Sequence, residues 1–143
     1  MTTAKSAARL RVVLDTNVYF SAFTHPKGVP FSLWQAAIKQ RYALLISRAI
    51  IAELARILRA KGGWSEEQTI KQLKLLVKVA DIITPTSTIN AVAADDDDNR
   101  ILECAVDGSA HIVVSSDRHL RGLKTFKGIA IVHPIDFRRT LAE

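Results

Sequence analysis

The sequence has almost no cysteine and no long hydrophobic run. Among its 143 residues Cys104 is the single cysteine, which excludes an internal disulfide and a cysteine-rich zinc site. No apolar stretch approaches the roughly 20 residues that a membrane-spanning helix requires. The short apolar run after Leu10 is interrupted by Arg11 and ends at Asp15, so it makes a poor signal-peptide core. We therefore expect a soluble, cytoplasmic protein that does not enter the membrane.

The composition is that of a globular domain with an excess of positive charge. The chain is 48% hydrophobic and 24% charged, which suits one domain over residues 1–143, with residues 1–9 expected as a flexible N-terminal tail. Twenty lysines and arginines oppose 14 acids, for a formal net charge of +6, although four of those acids are the consecutive residues Asp95–Asp98. A basic surface attracts polyanions such as nucleic acid, but positive charge also serves solubility.

Short apolar segments alternate along the chain with segments of helical spacing. The predicted strands are Arg11–Leu14, Tyr42–Ile46, Asp81–Thr84, His111–Ser115 and Ile129–Val132. Between the third and the fourth, Thr84–Asn90 and the acidic run after it are expected to form the one long loop. A repeating strand–helix order predicts an α/β fold with a mainly parallel sheet.

Four segments have apolar residues at the spacing of a helix. They are Phe31–Ile38, Ile50–Leu58, the segment that begins at Ser65, and Asp98–Val106. Ser47 and Ser65 are expected as N-caps, the latter in a capping box with Gln68, and Gly108 is expected to end the last helix. In the helix after Ser65, the expected core positions are Ile70, Leu73, Leu76 and Val77.

Acidic residues follow two of the predicted strands. Asp15 comes directly after the first strand, and Asp117 comes shortly after the fourth. Because ligands of a parallel α/β sheet bind at the carboxyl ends of its strands, both carboxylates would project into one crevice if these strands are neighbours. Asp98 lies on the buried face of its helix, above the sheet edge. Glu53 lies in the first turns of the helix after the second strand.

Converging carboxylates without matching cationic partners repel one another, and a divalent cation removes that repulsion. Oxygen ligands with water in the remaining positions suit Mg²⁺ or Mn²⁺, which can activate water and stabilise charge on a phosphodiester. Each acid also has a structural explanation. The alternatives are helix caps at Asp15, Asn17, Asp97, Asp98 or Asp117, and a surface ion pair of Glu53 with Arg56 or Arg59.

Four motifs resemble those of the PIN-domain nucleases, and they occur in order between about Arg11 and Phe137. They read Val-Val-Leu-Asp15-Thr16-Asn17-Val, Ala-Glu53-Leu, Asp95-Asp96-Asp97-Asp98-Asn99 and Val-Val-Ser115-Ser-Asp117-Arg-His-Leu. The most similar subgroup comprises bacterial PIN proteins described as toxin components of toxin–antitoxin systems, related to the VapC-type toxins. One such motif alone would be weak evidence, whereas four at compatible spacing indicate the family.

The resemblance implies a three-layer α/β/α sandwich and a Mg²⁺- or Mn²⁺-dependent endoribonuclease, expected as a homodimer with a cognate antitoxin as partner. It assigns the catalytic role to Asp15, Glu53, Asp98 and Asp117, the metal to Asp15, Asp98 and Asp117, and supporting roles to Asn17, Ser115 and Asp97. Asp96 stands where the subgroup often has proline, so Asp97 competes with Asp98 as third ligand, although the helical phase favours Asp98.

Two other functions compete with the nuclease. A non-catalytic PIN-like nucleic-acid-binding module would keep the basic surface, but it is expected to have lost acids that this chain retains. A phosphotransfer protein, either a phosphatase of the haloacid-dehalogenase type or a receiver domain, also places Asp at strand ends. The former expects Asp-x-Asp after its first strand, whereas here Asp15 is followed by Thr16 and Asn17.

Overall fold

The structure is a computed structural model that describes residues 9–90 and 96–142. Nearly all of the expected N-terminal tail and the segment 91–95 of the expected long loop therefore lie outside the described residues. Arg9, the last residue of that tail, is described, and its guanidinium donates a 3.2 Å hydrogen bond to the backbone carbonyl of Gln40.

Within the described residues, six strands form one sheet in the order β3-β2-β1-β4-β6-β5. The strands are β1 Arg11–Leu14, β2 Ala43–Ser47, β3 Asp81–Ile83, β4 Ile112–Val114, β5 Thr125–Phe126 and β6 Ile129–Val132. Every neighbouring pair is parallel except β5 and β6. In the centre, Val13 pairs with Leu45 on one side and with Val113 on the other. The expected α/β fold with a mainly parallel sheet is confirmed.

The same ranges contain seven helices. They are α1 Thr16–Thr24, α2 Val29–Ile38, α3 Arg48–Ala60, α4 Glu66–Val79, α5 Asp96–Asp107, α6 Arg118–Gly122 and α7 Pro134–Ala142. The strand order runs outward from β1 to β3 and then resumes on the other side of β1. Since crossovers between parallel strands are right-handed, this reversal is expected to put α5 on the face opposite α1 and α2. Helix α5 packs on β1, β2 and β4, and α2 packs on α7, which gives the α/β/α sandwich. None of the described helices is long and apolar enough to cross a membrane.

The N-caps of α3 and α4 are those expected from the sequence. Ser47 Oγ accepts a 3.4 Å hydrogen bond from the amide of Ile50. Ser65 Oγ accepts from the amide of Gln68 at 3.1 Å, and Gln68 Oε1 accepts from the amide of Ser65 at 2.9 Å, which completes the capping box. These caps fix the residues at which α3 and α4 begin.

Gly108 follows α5 as expected, but its role is close packing. The positive φ belongs to Ser109 (54°). A Cβ atom on Gly108 would stand 2.8 Å from the carbonyl oxygen of Cys104 and 2.9 Å from Leu45 Cδ1. The absence of a side chain at Gly108 therefore lets the end of α5 approach β2.

The expected core stripe of α4 is wrong at two of its four positions. Leu76 is fully buried and Leu73 is partly buried, whereas Ile70 is 47% and Val77 is 46% exposed. Helix α4 contacts α3 and the edge strand β3, so it has a neighbour on one side only. The apolar face of α4 is therefore wider than the surface of α3 and β3 that covers it, and Ile70 and Val77 stay exposed.

The segment between β3 and α5 is tied to α5 by two acids. Asp107 Oδ2 accepts hydrogen bonds from the amides of Thr86 (2.6 Å) and Ser87 (2.8 Å). Glu103 Oε2 accepts from the amide of Ile89 at 2.9 Å. The expected loop over Thr84–Asn90 is confirmed, and its hydrogen bonds are made to α5.

Candidate active site

The central strands β1 and β4 are neighbours. After β1 the chain continues to β2, on one side of this pair, and after β4 it continues to β5 and β6, on the other side. Asp15 directly follows β1, and Asp117 is the third residue after β4. Ligands of open α/β sheets bind at such a topological switch point. The sequence predicts one crevice for Asp15 and Asp117 if their strands are neighbours, and β1 and β4 are neighbours.

A cavity of about 310 Å³ opens at this switch point, and five carboxylates and two cations line it. We call it the acidic crevice. Its ionisable residues are Asp15, Glu53, Asp97, Asp98, Asp117, Arg56 and Lys61, and Thr16, Asn17, Phe20 and Ile57 complete the lining. The structure thus brings together the four acids expected to be catalytic, along with Asp97 and Asn17.

Asp15 is buried, with 4% of its surface exposed. Its Oδ1 accepts a 2.7 Å hydrogen bond from the amide of Thr16, so it also serves as the N-cap of α1. Burial raises the pKa of Asp15, the hydrogen bonds from Ser115 and Thr16 oppose that shift, and the charge of Asp117 adds to it. The balance is a raised pKa, which means that a positive charge beside Asp15 would be favourable.

Ser115 connects the two acids at the switch point. Its hydroxyl donates a 2.6 Å hydrogen bond to Asp15 Oδ2 and accepts a 2.9 Å hydrogen bond from the amide of Asp117. Asp117 Oδ1 accepts from the amides of His119 and Leu120, at 2.6 and 3.3 Å, and so caps α6. Within the described residues Asp117 Oδ2 makes no hydrogen bond, and this oxygen is available to a ligand.

Glu53 is compensated by a cation of its own helix. Arg56 Nε and Nη2 donate to its two carboxylate oxygens at 2.6 and 3.0 Å. This pairing lowers the pKa of Glu53 against the effect of burial, and a hydrogen bond with Asp97 lowers it further. The structural alternative considered for Glu53, an ion pair with Arg56, is therefore realised at the rim of the acidic crevice.

Asp97 and Asp98 both lie in the first turn of α5 and both line the acidic crevice. Asp98 is 4% exposed and is buried on the same helix face as Ile101 and Leu102, as the helical phase predicts. Asp97 is exposed. The lining alone does not choose between them, so Asp98 as third ligand stays a prediction.

The donor set of the acidic crevice suits a hard divalent cation. Within residues 9–90 and 96–142, no three side chains of Asp, Glu, His or Cys stand close enough to share one ion. Mg²⁺, however, is commonly held by one or two carboxylates and completes its octahedron with water. Asn17 Oδ1 is buried and accepts no hydrogen bond in the described part of the chain, so it offers a further oxygen.

Sequence reasoning did not place Arg56 and Lys61 inside this crevice. From the sequence, Arg56 is expected only as a surface partner of Glu53, and Lys61 has no expected role in the site. Both lie on or directly after the last turns of α3, on the side that faces the carboxylates. Helical spacing from Glu53 to Arg56 was the available signal.

The chain matches known proteins in sequence and in fold. The family model of the PIN domain matches residues 11–119. An uncharacterised protein of Methanocaldococcus jannaschii is 31% identical over 121 residues, which cover 81% of this chain and 76% of that relative.

Three solved structures have a similar fold at low sequence identity. VapBC2 of Rickettsia felis, bound to a DNA fragment from its promoter, matches with a TM-score of 0.62 and 16% identity over 87% of this chain and 98% of that chain. PAE2754 of Pyrobaculum aerophilum matches with a TM-score of 0.63 and 18% identity, over 96% and 92%. VapBC-1 of nontypeable Haemophilus influenzae matches with a TM-score of 0.62 and 16% identity, over 88% and 99%.

The family match runs from β1 into α6 and includes both acids of the switch point, Asp15 and Asp117. The matched structures share the sandwich over most of their length. On the family model and the sequence relative together, the chain belongs to the PIN domain family.

Proposed function

We propose that this protein is a metal-dependent endoribonuclease that hydrolyses RNA phosphodiester bonds at the acidic crevice with Mg²⁺ or Mn²⁺. The observation that carries the proposal is the surplus of carboxylates over cations at the switch point, in a chain whose net charge is +6. A basic protein that concentrates its acids at one sheet edge maintains a local repulsion, and binding a cation relieves it.

The proposed metal site lies between Asp15, Asp98 and Asp117, where Asp15 and Asp98 would bind the cation directly and Asp117 through a water molecule. A cation held there would lower the pKa of a water molecule and stabilise the charge that develops on the phosphate. The contribution of Asp15 is a carboxylate fixed from two sides, by the Thr16 amide and the Ser115 hydroxyl. A ligand held in this way loses little conformational entropy when it binds.

Asp117 is better placed than Glu53 to orient the attacking water. One oxygen of Asp117 caps α6 and the other makes no hydrogen bond within the described residues. Both oxygens of Glu53 are engaged by Arg56. We therefore assign the general-base or orienting role to Asp117, and to Glu53 the role of holding Arg56 at the rim.

The protein partners proposed for this chain are a cognate antitoxin and a second copy of the chain. VapBC structures share its fold, and the family includes toxins of such pairs. Ile70, Leu73 and Val77 form an apolar cavity wall on the outer side of α4, flanked by Lys74 and Lys78. An exposed apolar surface of this kind supports the presence of a protein partner.

A second candidate function is a non-catalytic PIN module that binds nucleic acid. The observation in its favour is that the acids also have structural contacts, since Asp15 and Asp117 cap helices and Glu53 pairs with Arg56. This function requires no cation. It predicts RNA binding that is the same with or without a divalent metal.

A cleavage assay separates the two functions. The purified protein is incubated with a mixed pool of labelled single-stranded and structured RNAs in Mg²⁺, in Mn²⁺ or in EDTA. We expect cleavage with either metal and none in EDTA. Intact RNA in all three conditions, together with RNA binding in EDTA, would favour the non-catalytic module.

A further inference from the structure

A second cavity lies at the same carboxyl edge of the sheet, beyond the contact between α3 and α5. It has a volume of about 170 Å³, and Ser47, Arg48, Thr84, Arg100 and Glu103 are among the residues that line it. We call it the arginine cavity. We propose that it binds a backbone phosphate of the RNA strand whose scissile bond lies in the acidic crevice, and this inference rests on the proposed function.

The charge of the arginine cavity is opposite to that of the acidic crevice. Its single acid, Glu103, is engaged by Arg100 Nη2 at 2.7 Å and by the amide of Ile89 at 2.9 Å. Arg48 is exposed and forms no ion pair within the described residues. The cavity therefore presents one uncompensated guanidinium, which attracts an anion.

Arg48 occupies a position where a positive charge is unfavourable for the helix itself. It is the first residue of α3, whose dipole places partial positive charge at that end. The guanidinium and the helix terminus repel each other, but both attract an anion placed between them. A bound phosphate would turn this repulsion into a favourable interaction.

Arg100 supplies a second, independent observation. Its Nε is buried and has no acceptor among the described residues, although Nη2 is paired with Glu103. A buried donor that lacks an acceptor is a site where a ligand oxygen is favourable. The Thr84 side chain lies exposed on the same lining and offers a hydroxyl donor.

The position of the arginine cavity suits one strand that reaches both cavities. Arg48 and Glu53 lie on the same helix, roughly 7.5 Å apart along its axis. The acidic crevice repels phosphates that are not neutralised by a cation, so the strand needs an anchor beside the crevice. The arginine cavity provides that anchor on the same sheet edge.

The test compares two charge reversals, Arg48→Glu in the cavity and Lys39→Glu at the opposite, amino edge of the sheet. Lys39 is exposed and follows the last residue of α2, far from both cavities. An acid at the first position of α3 is favourable to the helix dipole, so Arg48→Glu is expected to fold and melt at or above the wild-type temperature. Its RNA binding can then be compared directly with that of the wild type.

Two readouts are measured on one labelled single-stranded RNA of mixed sequence. In EDTA, the affinity of the wild type is measured against salt, and Arg48→Glu is expected to weaken binding and to flatten the slope by about 0.7, the value for one phosphate contact on a single strand. In Mn²⁺, Arg48→Glu is expected to raise KM severalfold with little change in kcat. Lys39→Glu is expected to leave slope and KM close to those of the wild type.

The outcomes distinguish this inference from the proposed function. Wild-type binding and slope in Arg48→Glu, or equal losses in Arg48→Glu and Lys39→Glu, would overturn the phosphate site. A wild type that binds RNA with the Arg48-dependent slope but does not cleave it in Mn²⁺ would support the phosphate site and reject the nuclease. A wild type that does not bind RNA would overturn the phosphate site.

Discussion

The hydroxyl of Ser115 donates a 2.6 Å hydrogen bond to Asp15 across 100 positions of the sequence. The same oxygen accepts the amide of Asp117, so one fully buried serine connects both acids of the switch point. This bond lowers the pKa of Asp15 against the larger effect of burial. Ser115 therefore helps to keep the Asp15 carboxylate ionised, and an ionised carboxylate is what a cation requires.

Ser115→Ala is expected to raise the pKa of Asp15 further, because the carboxylate loses its side-chain donor while it stays buried. A carboxyl group with a higher pKa becomes ionised only at a higher pH, and the cation needs the ionised form. Mn²⁺-dependent cleavage should therefore begin at a higher pH than in the wild type. The unsatisfied buried oxygen should also cost about 1–3 kcal/mol of unfolding free energy. A pH profile of cleavage and a urea melt measure the two effects.

Ser116→Ala is the matched control, since Ser116 is the next residue and is exposed. It should leave the pH profile and the urea midpoint unchanged. Equal profiles for Ser115→Ala and the wild type would show that the hydrogen bond does not tune Asp15.

Asp15→Asn is expected to abolish cleavage in Mg²⁺ and in Mn²⁺ while the fold is retained. The amide keeps the N-cap acceptor for the Thr16 amide, but it removes the charge that would hold the cation. Loss of a buried charge beside Asp117 should leave the stability without metal equal to that of the wild type or slightly higher. The exposed Asp136→Asn serves as control, and wild-type cleavage by Asp15→Asn would defeat the assignment.

Gly108→Ala should destabilise the protein, since a new Cβ would stand 2.8 Å from the Cys104 carbonyl oxygen and 2.9 Å from Leu45 Cδ1. Overpacking of this kind costs about 1–3 kcal/mol. Gly122→Ala is the control, because a Cβ there meets nothing within 4 Å. The difference between the two urea midpoints measures the effect. A Gly108→Ala variant as stable as Gly122→Ala would mean that α5 does not need this close approach.

Asp107→Asn tests how the loop before α5 is held. Hydrogen bonds from Ser87 and Thr86 lower the pKa of Asp107. An acid with a lowered folded-state pKa stabilises the protein above its ordinary value of 3.8, and that contribution is lost as the pH falls through the folded-state pKa. The variant should melt below the wild type at pH 7, and the gap should narrow under strong acid. A gap that is constant with pH would exclude the ionised carboxylate as its cause.

The strands and helices with a full hydrophobic pattern could be predicted from the sequence, and short or peripheral elements could not. Strand β5 has two residues and owes its existence to a tight turn in which Lys127 (φ 49°) and Gly128 (φ 81°) both adopt positive φ. A lysine in that position gives no turn signal. The exposure of Ile70 and Val77 depends on which elements surround α4, and a single helix does not contain that information.

The acids of the site could be predicted because strand ends and helical phase are local properties. The cations and hydrogen-bond donors that offset the charge of these acids could not be predicted, because they depend on side-chain contacts. The ion pair of Glu53 with Arg56 and the bond from Ser115 to Asp15 both reduce the net repulsion that the sequence suggests. The surplus of acids in the crevice remains, but it is smaller than a count of converging carboxylates implies.

The central claim is that the acidic crevice binds a divalent cation, and a melting series tests it most directly. A cation that binds only the folded state at about 100 times its Kd stabilises that state by roughly 2.7 kcal/mol. For a domain of this size the melting temperature should rise by several degrees. Mn²⁺ is expected to act at lower concentration than Mg²⁺.

The decisive measurement is the melting temperature of the wild type in saturating Mn²⁺ and in EDTA, alongside the Asp98→Asn and Asp97→Asn variants. We expect a rise of several degrees with Mn²⁺ in the wild type and in Asp97→Asn. We expect almost none in Asp98→Asn, because Asp98 is the buried acid of the pair. Equal wild-type melting temperatures in saturating Mn²⁺ and in EDTA would contradict the metal site.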